Sequence, residues 1–178
     1  MSREFIPVRI CVLTVSDTRT PETDKSGDTL VERLTAAGHH LADRAITRDE
    51  VPMIRRQVER WLARKDVDAI ISTGGTGLTG RDVTIETMRG LFEKEIEGFG
   101  VLFHMISFPK IGTSTIQSRA TAGVASGKYI FCLPGSPGAC RDGWDNILLP
   151  QLDYRHMPCN FVEIMPRLDE HMRRGGKA

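Results

Sequence analysis

The feature that most constrains this chain is an alternation. Short runs rich in β-branched residues are followed by amphipathic stretches of ten to fifteen residues. Residues 8–16 (VRICVLTVS), 41–47 and 67–73 (VDAIIST) read as strands. Between them, residues 26–37 carry Leu30, Leu34 and Ala37 at helical spacing, with Gly38 as a stop. A second helix follows Asp49, which reads as its N-cap, with Pro52 early and Ile54, Val58, Trp61 and Leu62 along one face. Strands separated by helices of this length form βαβ units and a mostly parallel sheet.

Later in the chain the pattern changes. A helix resumes near Val83 with Ile85, Met88, Leu91 and Phe92 on one face, and residues 99–107 form a further apolar helix. Phe99, Phe103, Ile106 and Phe108 offer an apolar interface. Residues 120–125 and 128–133 flank Ser126-Gly127, a hairpin signal. Residues 139–149 then read as a helix with Trp144, Ile147 and Leu148 inward, stopped by Pro150. The expected fold is one α/β domain over residues 1–178, with a mostly parallel central sheet and a small hairpin. Its core spans about 8–161 and a C-terminal tail covers 162–178, whose residues 170–178 are polar, basic and glycine-ended and read as frayed.

Glycine marks where such a sheet could hold a ligand. Residues 73–82 (TGGTGLTGRD) leave the third strand and enter a helix, where backbone N–H groups and the helix dipole favour an anion. Gly75, Gly77 and Gly80 match G-x-G-x-x-G. Gly75 and Gly80 also frame a near-miss P-loop in which Arg81 and Asp82 replace Lys and Ser/Thr. The phosphate-binding lysine is therefore missing, and a carboxylate occupies the magnesium side. Asp82 can cap the following helix, hold Mg²⁺ beside a phosphate, or do both. Asp49 is explained by capping alone unless it meets Asp82 in space. A dinucleotide site would need an acidic residue ending a second strand about twenty positions on. Glu95 and Glu97 fall there with no strand ahead of them.

Ser16 and Asp17 leave the first strand as a second polar exit. Ser114, with Ser118 and Arg119, offers hydroxyls and a guanidinium suited to phosphate or a carboxamide. Pro134-Gly135-Ser136-Pro137-Gly138 is a rigid loop opening a helix, another anion-receptive terminus. Three glycine-bearing loops entering helices of one sheet point to a phosphorylated or otherwise polar ligand at the switch point of strand order.

Other chemistries find little support. Lys plus Arg number 24 and Asp plus Glu 23, a net charge of +1, without the basic excess of a nucleic-acid binder. The four cysteines have no zinc or redox spacing, and Cys11 and Cys132 read as core thiols. No two histidines fall at metal-ligand spacing, and His39-His40 reads as a solvated turn. His104 lies on an apolar helix and reads as a core or interface residue. Ser136 is outside any G-x-S-x-G nucleophile motif. No apolar stretch reaches a membrane span and no secretory signal is visible, so a reduced cytoplasmic compartment is the expectation.

Taken together, residues 72–77 (STGGTG), 112–114 (GTS) with 118–120 (SRA), and 133–138 (LPGSPG) resemble the MoaB/MogA family of molybdenum-cofactor biosynthesis proteins. The resemblance covers about 8–161. Residues 97–108, together with 139–161, look like the MoaB branch. It implies a three-layer α/β fold, a trimer or a hexamer built from trimers, and binding of molybdopterin. Active members transfer AMP from Mg-ATP to the molybdopterin phosphate, releasing pyrophosphate. Others of this fold would only bind or carry the pterin. By resemblance, Asp49 and Asp82 are catalytic and hold Mg²⁺. Ser16, Asp17, Thr73, Gly74, Gly75, Thr76, Gly77, Ser114, Arg119, Pro134, Gly135 and Ser136 line the substrate pocket. No nucleic acid or membrane partner is implied.

Overall fold

A computed structural model describes residues 3–174. The alternation read from the sequence becomes β1 (Arg9–Val15), α1 (Lys25–Ala36), β2 (His40–Thr47), α2 (Val51–Leu62), β3 (Ala69–Thr73) and α3 (Thr84–Arg89). A two-residue strand β4 (Lys94–Glu95) leads into α4 (Glu97–Ile111) and a 3₁₀ segment (Gly112–Gln117). The hairpin β5 (Thr121–Ala125) and β6 (Lys128–Leu133) and the helix α5 (Pro137–Gly143) come next. The chain then passes through a π-helical turn (Trp144–Leu148) into the short helices α6 (Leu149–Gln151), α7 (Phe161–Ile164) and α8 (Glu170–Arg174). The tail expected to fray is helical through Arg174. Residues 175–178 lie outside the described residues.

The six strands form one sheet in the order β2-β1-β3-β6-β5-β4. β2, β1, β3 and β6 pair in parallel, while β5 runs antiparallel to both its neighbours. Side chains alternate between the faces, so each strand feeds two cores. Ile10, Val12, Ile71, Tyr129 and Phe131 pack with Leu30, Leu34, Phe99, Phe103 and Trp144 on one face. Cys11, Leu13, Ile70, Ile130 and Cys132 pack with Ile54, Val58, Trp61, Ile85 and Met88 on the other. These are the three layers expected. The thiols of Cys11 and Cys132 are core groups, pushed up to about 12 by burial.

Register explains why the polar loops gather. Thr14 pairs with Thr73, Thr73 with Leu133, and Val15 with Thr47. The C-terminal ends of β1, β2, β3 and β6 therefore lie level. The chain leaves β1 for β2 on one side and reaches β3 on the other, so strand order reverses between β1 and β3, where such sheets bind ligands.

Four local expectations need correction. His39 is buried rather than solvated: its Nδ1 accepts the Val8 N–H at 3.1 Å, and its ring meets Phe5 and, edge-on, Trp144. Pro150 does not stop its helix, because the π-turn hands over to α6, where proline occupies a first-turn position that needs no N–H donor. Phe99 and Phe103 belong to the protein's own core, whereas Val101, Leu102, Met105, Phe108 and Ile111 of α4 face outward with Ile116. Glu95 lies in a two-residue antiparallel edge strand, so it does not close the second strand that a dinucleotide site requires. The remaining histidine expectation holds, since half-buried His104 is satisfied through Nε2 by Ser118 O at 3.2 Å.

Candidate functional site

The glycine loop is shaped by what surrounds it. Gly74 has φ +94°, and a Cβ there would stand 2.2 Å from Val15 O, so the loop leans directly on the end of β1. Its N–H bonds Leu133 O at 3.1 Å, and its α-carbon would be 3.1 Å from a Cβ on Gly135. Ser26 Oγ donates to Gly135 O at 2.8 Å. The exits of β1, β3 and β6 thus form one surface. Between them lies a cleft of about 260 Å³ lined by Ser16, Thr18, Arg19, Asp24, Ser26, Thr73, Gly74, Gly75 and Gly135, among others.

A second cleft of about 200 Å³ opens beside the loop after β6. It is lined by Phe103, Ser107, Lys110, Ile111, Ser118, Pro134, Ser136 and Asp142, among others. Lys110 and Asp142 form an ion pair within it. Ser136 caps α5, its Oγ accepting the Ala139 N–H at 3.1 Å. Ser114 is exposed in the 3₁₀ segment and lines neither cleft.

The two aspartates stand against different glycines of the same loop, close enough for their charges to interact. Asp49 does not cap α2, whose N-cap is Glu50 without a side-chain bond. Its Oδ1 instead accepts the Val83 N–H at 3.2 Å, at the start of α3. Asp82 is not a cap either. Its Oδ2 accepts Thr79 N–H at 2.9 Å and the Thr79 hydroxyl at 2.6 Å. Gly75 and Gly77 make room for both carboxylates: a Cβ on Gly75 would stand 2.8 Å from Asp49 Oδ2, and one on Gly77 2.6 Å from Asp82 Oδ2.

Their charges interact. Burial raises the Asp49 pKa, and the neighbouring charges of Asp82 and Asp17 raise it further, outweighing the Val83 N–H and Arg81. Hydrogen bonds from Thr79 hold Asp82 below the usual carboxylate range, against burial. Asp17 is lowered chiefly by Arg81, whose Nη2 reaches Asp17 Oδ2 at 2.6 Å, and by the Asp49 N–H at 3.2 Å. Asp17, Asp49 and Asp82 thus make the rim of the glycine loop acidic, with Asp17 paired to Arg81. Among the described residues no group of three or more His, Cys, Asp or Glu side chains is placed to hold a metal ion.

Several expected pocket residues also hold the loops in shape. Arg119 donates from Nε to Thr76 O at 2.9 Å and from Nη2 to Gly77 O at 2.7 Å, and pairs with Glu86. Its guanidinium clamps the glycine loop rather than standing free for phosphate, contrary to the role expected of it. Thr73, fully buried, donates to Pro134 O at 2.9 Å and ties the β3 and β6 exits together. Ser16 Oγ accepts from Thr18 and Arg19 N–H groups, ordering its own turn.

Asp24 was not marked by any motif, yet it lies buried in the first cleft. Its carboxylate accepts from Thr14 Oγ1, the Gly27 N–H and Arg44 Nη2. The signal available in the sequence was capping: Asp24-Lys25-Ser26-Gly27 precedes an amphipathic run, and Asp24 is the N-cap of α1.

A level row of strand ends and glycine-bearing exits place the chain among α/β proteins with a ligand cleft at the switch point of strand order. The family model described as "Probable molybdopterin binding domain" matches residues 11–154. "Molybdenum cofactor biosynthesis protein B" of Escherichia coli K12 is 53% identical over 161 residues, covering 90% of this chain and 95% of that protein. The Bacillus subtilis protein of the same name is 46% identical over 146 residues, covering 82% of this chain and 86% of its own length. A crystal structure of molybdenum cofactor biosynthesis protein B superposes with a TM-score of 0.85 at 41% identity, over 94% of this chain and 99% of that one. The molybdopterin biosynthesis enzyme MoaB of Thermus thermophilus superposes with a TM-score of 0.71 at 32% identity, over 79% of this chain and 89% of its own. The chain belongs to the MoaB family of molybdenum cofactor biosynthesis proteins.

Proposed function

We propose that this protein binds molybdopterin and transfers AMP from Mg-ATP to the molybdopterin phosphate. The observation that carries this reading is that Asp49 and Asp82 stand against Gly75 and Gly77 of one loop, beside the cleft at the β1/β3 switch point. A phosphate oxygen of the pterin attacks the α-phosphorus of ATP. The bond from that phosphorus to the β-phosphate bridging oxygen breaks, and pyrophosphate leaves with the electron pair. The products are adenylyl-molybdopterin and pyrophosphate.

Such a transfer asks the protein for positioning and charge neutralisation rather than a covalent intermediate. The amides of Gly75 and Thr76 can hold phosphate oxygens, and the α5 N-terminus behind Ser136 offers a further anion-receptive edge. Asp49 and Asp82 are the residues that would hold Mg²⁺, which when bound neutralises charge on the phosphates. Arg119 keeps the glycine loop in shape from behind. No histidine base is required.

Self-association as a trimer or a hexamer belongs to the same reading. Its support is α4, whose inner face packs in the core while Val101, Leu102, Met105 and Phe108 remain exposed on the other. Among the described residues no helix is long and apolar enough to cross a membrane.

The test is pyrophosphate release from Mg-ATP with authentic molybdopterin. Release that depends on both Mg²⁺ and the pterin supports the transferase. Asp82→Asn should lower it at least about a hundredfold, because a charged group in the transition state is lost, while pterin affinity is retained. Pterin binding by the wild type without any release would identify a carrier instead.

A further inference from the structure

Polar side chains beside the glycine loop are mostly spent on the scaffold. Thr73 donates to Pro134 O, and Thr87 donates to Val83 O at 2.8 Å. Thr84 differs. It is fully buried at the first position of α3, and its Oγ1 has no hydrogen-bond partner among the described residues. A buried hydroxyl left unpaired is costly and requires a reason.

The surroundings supply one. The Thr84 N–H bonds Gly75 O at 3.0 Å, so the residue is locked to the loop. A Cβ on Gly75 would stand 2.2 Å from Thr84 Oγ1 and 2.8 and 2.9 Å from the two Asp49 carboxylate oxygens. Hydroxyl and carboxylate therefore converge on the same α-carbon, in the gap that a missing side chain leaves. Asp49 accepts from Val83 N–H alone, while Asp82 and Asp17 lie close enough to repel its charge. An unspent donor thus stands next to an under-compensated acceptor.

We infer that Thr84 is a positioning residue whose hydroxyl donates to the Asp49 carboxylate when that carboxylate engages the cation and substrate phosphates. The bond fixes the direction of the Asp49 oxygens, as partners behind metal ligands commonly do. This rests on the phosphate-transfer reading of the site. A hydroxyl rotates freely about its C–O bond, and both groups lie within 3 Å of one point, the place of a Cβ on Gly75.

The test compares Thr84→Val, which keeps shape and loses the hydroxyl, with Thr84→Ser, which keeps the hydroxyl. Three quantities are read: the unfolding midpoint of the ligand-free protein, Mn²⁺ affinity by electron paramagnetic resonance with a non-hydrolysable ATP analogue, and kcat against KM for the pterin. Thr84→Val should unfold at or above the wild-type midpoint, because it removes an unpaired hydroxyl. It should also bind Mn²⁺ about tenfold more weakly and lose kcat with KM unchanged. Thr84→Ser should restore Mn²⁺ affinity. Wild-type Mn²⁺ affinity in Thr84→Val, or failure of Thr84→Ser to restore a weakened one, overturns the role. Absence of Mn²⁺–nucleotide binding by the wild type itself is a separate result, which removes the phosphate-transfer reading and this role with it.

Discussion

Asp49 Oδ1 accepts a hydrogen bond from the Val83 N–H at 3.2 Å, although the two residues are 34 positions apart. Asp49 follows β2 and precedes α2, yet the backbone donor it satisfies belongs to the entry of α3. That single bond ties the exit of β2 to the far end of the glycine loop. It also aims a partly buried carboxylate at the same loop as Asp82, so a structural role and a chemical one fall on one side chain.

Those two roles can be separated by substitution. Asn at position 49 retains an oxygen that can accept from Val83 N–H, whereas Ala does not. Asp49→Asn should unfold in urea within a few tenths of a kcal/mol of the wild type, and Asp49→Ala should lose about 1 kcal/mol, the usual worth of a side-chain cap. Both should lose nearly all Mg-dependent pyrophosphate release. Asn retaining wild-type turnover would mean that the charge of Asp49 plays no part in the reaction.

Gly75 has φ +64°, and its α-carbon faces Thr84 Oγ1 and both Asp49 oxygens. Ala there meets two penalties. The left-handed backbone costs about 1–2 kcal/mol, and the new methyl displaces the carboxylate. Gly75→Ala should lower the urea midpoint accordingly and also abolish activity. Gly80→Ala is the control, since nothing lies within 4 Å of a Cβ at that position, and it should leave both nearly unchanged.

These positions also show how far the sequence can be read. The βαβ order, the hairpin at Ser126-Gly127 and the inward faces of α1 and α2 follow from local periodicity, because one side of each element must be buried. Residue type also marked Asp49 and Asp82. Their actual partners were not legible: Asp49 looked like the cap of its own helix and turned out to serve another. Arg119 looked like a phosphate ligand and spends its donors on loop carbonyls. His39 after a glycine looked solvated and is buried by Phe5 and Trp144, which are 34 and 105 residues away in the chain. The misses at Asp49, Arg119 and His39 are long-range pairings, which spacing along the chain does not encode.

His39 makes stability depend on pH. Burial lowers its pKa below the ordinary 6.5, with the charge of Asp153 acting the other way and His40 adding to the lowering. The unfolded chain therefore takes up this proton at higher pH than the folded one. The contribution of His39 is complete above about pH 6.5 and is lost as pH falls below that through the folded-state value. Urea midpoints should decline between pH 7 and 5. His39→Gln, which can still accept from Val8 N–H, should show a flatter profile in that window. Parallel profiles for the two proteins would remove His39 as the cause.

The outward face of α4 supplies the last test. Val101, Met105 and Phe108 recur at helical spacing, and Met105 is 64% exposed. A helix apolar on both sides buries one face in its own core and needs a partner for the other. Light scattering should give a mass of three or six chains of 19.8 kDa for the wild type. Met105→Glu places a charge in that contact without touching the buried face, so it should shift the mass toward one chain and leave the far-ultraviolet circular dichroism unchanged. A wild type already running as one chain would remove this face as a self-contact, and an unaltered oligomer in Met105→Glu would move the contact elsewhere on the surface.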